Sequence, residues 1–242
     1  MKLVRRSDFF LLPLVCCLIA TSSFAQEIRK GELLYDNSLL VEESMADWRM
    51  EGLGKLEFDS TGMHMFSEGQ SGHHVVWCPE EFPNSFIVEW EVKNENREAG
   101  LCIVFFASKG IAGQSIFDAS VQKRNGKFGQ YIKGDINNYH ISYHANSPAQ
   151  KNRPFSHLRK NTGFHKVHVG KAGIQASSEE WHRIRLVKNG GHIRMLLDDV
   201  TIVDWQDDGI IHGPVLGAGH IGFRQMKWTR FCYRNFKVWA ID

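Results

Sequence analysis

The sequence predicts an all-β protein, a concanavalin-like jelly-roll sandwich of two antiparallel sheets. Three observations carry this expectation. Runs of strand length are either alternating or continuously apolar, turn residues separate them at regular spacing, and no stretch combines helix caps with a sustained 3.6-residue period.

Taken in order, residues 55–59 and 63–67 flank Ser60-Thr61-Gly62 and read as a hairpin. Residues 73–77 form a strand that ends in a proline-bounded connection, Cys78 to Pro83. In 86–92, Phe86, Val88, Trp90 and Val92 share one face, while Ile87, Glu89 and Glu91 share the other. Residues 101–107 are apolar throughout, the pattern of a central strand covered on both faces. Residues 181–188 and 192–197 meet across Asn189-Gly190-Gly191, whose glycines supply positive φ, and Asp198-Asp199 turns the chain into 200–205. Residues 219–224 and 231–240 close the chain as two further strands. No internal repeat or linker-like composition divides residues 26–242, which are expected to form a single jelly-roll domain.

The first 25 residues read differently. Lys2, Arg5 and Arg6 precede an apolar run over 9–20, and Ser23-Phe24-Ala25 is a small-x-small cleavage site. Residues 1–25 are therefore expected to be a secretory signal peptide, which implies a periplasmic or extracellular location. The apolar run is too short to span a membrane, and no other segment is apolar enough. A lipid anchor on Cys16 or Cys17 would want a small residue where Val15 stands. Beyond residue 25 only Cys78, Cys102 and Cys232 remain, an odd number that leaves one thiol free or paired between molecules. Cys102, in the apolar run LCIVFF, reads as a small buried hydrophobe, and nothing in the spacing argues for a Cys102–Cys232 bridge or a zinc site.

Charge is concentrated in one place. The chain carries 29 Lys and Arg against 27 Asp and Glu, yet residues 131–171 hold seven Lys or Arg against one acid, Asp135. Five histidines and three tyrosines lie in the same segment. A cationic stretch rich in His and Tyr suits an anionic, hydroxyl-bearing ligand such as an acidic sugar; the alternative is a long solvated loop. The near-neutral total and the expected export argue against nucleic acid as a partner.

Three chemistries were weighed on these residues. For β-elimination from a uronate, Arg153, Arg159 or Lys160 can neutralise the carboxylate, His157 or His165 can take the proton, and Tyr143 or Tyr131 can act as acid or base. For hydrolysis, Glu89 and Glu91 project from one strand face about 6–7 Å apart, within range of a carboxyl pair; a solvated strand face is the plainer account. For binding alone, Asp135 and Asn137 can hold sugar hydroxyls, and Trp77 can stack on a pyranose. His140 and His144 lie four residues apart on a strand, about 13 Å, and cannot share one metal. No cofactor is expected; a structural calcium would fall at Asp204, Asp207 or Asp208.

Several stretches together carry a family resemblance: VVWCPEEFP (75–83), FIVEWEV (86–92), CIVFFASKGIAGQSIFD (102–118), GQYIKGDINNYHISYHAN (129–146), HLRKNTGFHKVHVG (157–170) and YRNFKVW (233–239). In this order they resemble the YesU-like family of bacterial proteins, which is similar to concanavalin-like lectins and glucanases. The resemblance implies a jelly-roll fold and a link to plant polysaccharides, notably rhamnogalacturonan. It brings no catalytic assignment. The expected function is thus a secreted protein acting on an acidic plant- or algal-type polysaccharide, by β-elimination or hydrolysis, or binding it without cleavage.

Overall fold

The structure is a computed structural model that describes residues 28–67, 72–146, 153–175 and 177–242. The expected signal peptide of residues 1–25 lies outside them. Strands account for nearly all regular structure and form two antiparallel sheets, as the sequence predicts.

In the first sheet β13 (Val200–Gln206), β12 (His192–Leu197), β11 (Trp181–Asn189), β6 (Phe86–Asn94), β15 (Arg230–Ile241), β4 (Gly62–Phe66) and β3 (Lys55–Asp59) lie side by side. The long β15 bulges at Asn235, so that its first half pairs with β4 and its second half with β1 (Lys30–Asn37). The second sheet runs β10 (His165–Ala172), β9 (Phe155–Asn161), β8 (Ile136–Asn146), β7 (Gly100–Gly110), β14 (Gly219–Gln225), β5 (His74–Phe82) and β2 (Arg49–Gly52). Between the sheets the alternating residues of each strand meet in one core: Val88 and Trp90, Val104 and Phe106, Ile141 and Tyr143, Phe223, Tyr233 and Val238.

A second, smaller cluster lies on the outer face of the second sheet, where Val75, Trp77, Leu101, Ile103 and Phe105 are covered by the β7–β8 connection through Ile116, Val121, Tyr131 and Ile132. This explains why β7 is apolar from Leu101 to Ala107: both of its faces are buried there. Trp77 stacks on Phe105 at 5.7 Å, and Tyr131 stacks on the same ring at 5.4 Å. Gly222 is required here, because a Cβ on it would stand 2.4 Å from the Trp77 ring.

Some details depart from the sequence expectation. The connection placed at 78–83 is the second half of β5. Pro79 is tolerated because β2 pairing stops at Trp77 and the β14 register shifts there, so no ladder needs its missing N–H. For the basic segment the alternative of a long solvated loop does not hold: most of it is β8, β9 and β10, with the strand read around His140 and His144 extended to Ile136–Asn146. Two single turns, a 3₁₀ turn over Glu42–Met45 and an α turn α1 over Gly129–Ile132, are the described helices. Cys78, Cys102 and Cys232 are all buried and unbridged.

Candidate functional site

Side-chain parity along β8 and β9 builds a site on the outer face of the second sheet. Cross-strand pairing sets out two rows. One runs His157, Ser142, Ile103, Arg224 and Val75; the other runs Arg159, His140, Phe105, Gly222 and Trp77. The lid over the second row reaches only as far as Tyr131, and the uncovered part is a groove of about 720 Å³. Phe128 and Phe164, edge to face at 5.5 Å, form a wall, and Leu101, Ile103 and Met226 supply apolar surface. Among the described residues, Arg153, Arg159, Arg224, His73, His140 and His157 supply every ionisable group of the lining, and none of them is a carboxylate.

Arg224 is the unusual member. It is 2 % exposed, yet no acid pairs with it among the described residues. Its guanidinium lies over the Phe128 ring at 4.5 Å, reaches the Gly126 and Gln225 carbonyls only at 3.4 Å, and has an unpartnered Nε. Burial pulls its pKa down to about 10. Arg159 lies over Phe164 at 4.5 Å, and its pKa is also lowered by burial. Burial and neighbouring cations hold His73 and His157 below the ordinary histidine value, so both are largely neutral at pH 7. Glu51, behind Tyr131, is already forked by Arg124 at 2.7 and 3.1 Å and does not neutralise the groove.

Of the residues singled out in the sequence, Arg153, His157 and Arg159 line this groove. The others do not. Tyr143 stands between the sheets, its hydroxyl 3.3 Å from Trp90 Nε1, and burial raises its pKa well above 10. Tyr131 is a fully buried part of the lid itself, donating to Glu51 Oε2 at 2.8 Å. Trp77 is fully buried between Phe105 and Tyr131 and offers no stacking face. Lys160 points the opposite way from Arg159, into a buried pair with Asp207 at 2.7 Å. His165 stacks on His212 at 4.3 Å, outside the lining. Asp135 accepts the Gln122 N–H at 2.5 Å and Asn137 the Thr162 N–H at 3.3 Å, both tying loops to β8.

Glu89 and Glu91 lie on the first sheet, where Lys30 and Arg185 hold one and Arg234 and Asn235 the other. They are a solvated, ion-paired face and not a pair flanking a groove. The acids considered for calcium are also separately engaged: Asp204 by His192, Asp207 by Lys160, and Asp208 by the Ile210 and Ile211 N–H groups.

Two other clusters resemble known chemistry. Ser178 Oγ, His182 and Asp198 form a chain of two 2.7 Å hydrogen bonds, but Ser178 does not line the hollow beside His182 and also accepts the Glu180 N–H. His64, Glu95 and Cys232 could gather around a metal, yet His64 is already held between Glu95 and Asp59. Arg224 and His140 were not singled out as ligand groups in the sequence. The signal for Arg224 was a lone arginine directly after the apolar Ile221-Gly222-Phe223 of the strand GHIGFRQ.

Fold and groove together define a two-sheet sandwich of jelly-roll type with a groove on one outer face whose charged groups, among the described residues, are all cationic. The chain belongs to the family described as "Domain of unknown function (DUF1961)", whose model matches residues 32–238. It is 39% identical over 214 residues to the "Uncharacterized protein YesU" of Bacillus subtilis (strain 168), covering 87% of this chain and 96% of that protein. A crystal structure of a protein of unknown function with a galectin-like fold, also from Bacillus subtilis, is similar with a TM-score of 0.82 at 37% identity, over 89% of this chain and 99% of that one. The carbohydrate-binding module CBM66 from Bacillus subtilis shares the fold at a TM-score of 0.53 and 14% identity, over 80% of this chain and 96% of the module.

Proposed function

We propose that this protein binds an acidic glycan of the rhamnogalacturonan or pectin type in the groove on its second sheet, outside the cytoplasm. The carrying observation is Arg224, a buried guanidinium opening into a groove that also holds Arg153 and Arg159 and, among the described residues, no acid. A charge in that position is satisfied by a ligand that brings the opposite one. The apolar walls suit the less polar faces of sugar rings. The likeness to a carbohydrate-binding module supports the same reading. So does the signal-peptide pattern of residues 1–25, which supports an exported, periplasmic or extracellular location.

A second reading, cleavage by β-elimination, is favoured by His157. It lines the groove, its pKa is lowered by burial and then by Arg159, Lys166 and Arg153, and its neutral form can accept a proton. Hydrolysis by a carboxyl pair finds no carboxylate among the described residues of this groove.

Calorimetric titration with galacturonate-containing fragments, set against neutral fragments of equal length, tests the first reading. Saturable binding of the acidic set alone supports it, and equal binding of both sets refutes the charge-based account. Absorbance near 235 nm in the same mixtures tests the second: its appearance makes the protein a lyase, and its absence with tight binding makes it lectin-like.

A further inference from the structure

Behind the groove a hydrogen-bond chain begins at a group that can only accept. The Tyr131 carbonyl meets Asn138 Nδ2 at 2.8 Å, which turns the Asn138 amide oxygen to the other side. That oxygen accepts from Asn161 Nδ2 at 2.7 Å, and the same Nδ2 lies 2.9 Å from His140 Nδ1. An amide nitrogen only donates, so His140 Nδ1 accepts and the ring proton sits on Nε2. Turning the Asn161 amide over would set two oxygens against each other and strand both its N–H groups. The orientation adopted leaves only Asn161 Oδ1 without a partner.

His140 Nε2 is itself buried and unpartnered, and the ring lines the groove. Arg159 is its direct cross-strand neighbour. The ring is clamped by Phe105 at 5.5 Å, Phe128 at 5.8 Å and Phe164 at 6.0 Å. Burial, with Arg159 and Arg224 close by, keeps the ring neutral.

We propose that His140 is a neutral, tautomer-locked N–H donor to an anionic oxygen of the ligand, with Asn138 and Asn161 as the positioning residues that set the tautomer. Arg159 and Arg224 supply the charge and His140 the directed donor. The ligand oxygen belongs to a sugar uronate or to a sulfate ester, which share this chemistry. The assignment rests on the glycan-binding reading and restricts it. A ring with Nε2 protonated and Nδ1 engaged has no lone pair to offer the groove, so any elimination must take its base elsewhere, at His157.

Long-range nitrogen–proton spectra of the histidine rings decide the relay without any ligand. The wild-type protein should show His140 protonated on Nε2 at neutral pH. Asn161→Asp, whose carboxylate can only accept, should move the proton to Nδ1. A wild-type Nδ1 tautomer, or a ring that titrates near the ordinary histidine value, overturns the relay. For the ligand role, His140→Gln keeps an N–H donor and should hold affinity for oligogalacturonate or a sulfated oligosaccharide within about threefold, whereas His140→Phe should lose about tenfold or more. The acidic fragment that shows this dependence identifies the oxygen's source. Affinity unchanged in both variants overturns the donor role. A wild-type protein that binds neither fragment overturns the glycan reading and the ligand role together, while the spectra still decide the relay on their own.

Discussion

Replacing Arg224 by methionine should weaken acidic-glycan binding and raise stability in the same variant. Burial lowers the Arg224 pKa from 12.5 to about 10, which corresponds to about 3 kcal/mol of hydration that no carboxylate restores. The Phe128 ring beneath the guanidinium returns about 1–2 kcal/mol, and two contacts at 3.4 Å add little. The net cost of the charge in the empty groove is then about 1–2 kcal/mol, and methionine fills similar space without it. For a chain of this size the Tm should rise by about 2–8 °C. Losing a charge-assisted hydrogen bond to the ligand should cost about 1.5–3 kcal/mol of affinity, roughly 10- to 100-fold. Thermal unfolding and calorimetry on the same preparation read both quantities. A fall in Tm would mean that Arg224 is already satisfied within the protein, and unchanged affinity would mean that the groove is not the anion site.

Three further outcomes follow from the placement of other residues. Arg159→Ala should lose acidic-fragment affinity by about tenfold or more with normal folding, whereas His165→Ala, remote from the groove, should bind like the wild type; a titration series on both separates groove from segment. Lys160→Ala should destabilise by about 3–5 kcal/mol by leaving Asp207 buried and unpaired, and Lys160→Met with Asp207→Asn should recover most of it, as denaturant titration would show. Acid lability should begin early: burial holds His74 and His144 at about pKa 4, so the unfolded chain takes up protons first as pH falls below about 6.5. Each withdraws up to about 3 kcal/mol between pH 6.5 and 4. His64 opposes them, because Glu95 and Asp59 raise its pKa against the cost of its burial. Stability that stays flat from pH 7 to 4.5 would refute the neutral-histidine account.

The sheets were legible wherever a strand shows its periodicity. Phe86, Val88, Trp90 and Val92 alternate because one face of β6 meets the core and the other meets water. The continuous apolar run of β7 correctly signalled a strand covered twice, although the identity of its second cover, the segment bearing Tyr131, is a tertiary fact with no local signature. The strands β8 and β9 were harder. In β8 the alternation of Tyr139, Ile141 and Tyr143 with His140, Ser142 and His144 showed a strand, but nothing local showed that His140, with His157 and Arg159 of β9, faces a groove.

Parity explains which part of the basic segment serves the groove. Arg159 and Lys160 are neighbours in sequence, equal in charge and both deeply placed, but a one-residue step on a strand sends them to opposite faces of the sheet. Lys160 enters the interior, where the Asp207 carboxylate and the Gly213 carbonyl receive it. Arg159 enters the groove, where no acid among the described residues awaits it. A charge count over the segment adds the two together, although one is spent inside the fold and only the other remains to attract a ligand. The same logic brings in Arg224 from outside the segment: it lies far away in sequence, but the Ser142–Ile103–Arg224 row places it on the same face as His157. The field that selects an acidic ligand is therefore a property of one sheet face, assembled from three strands, and it should survive neutralisation of Lys160 and Lys171 while failing with Arg159 and Arg224.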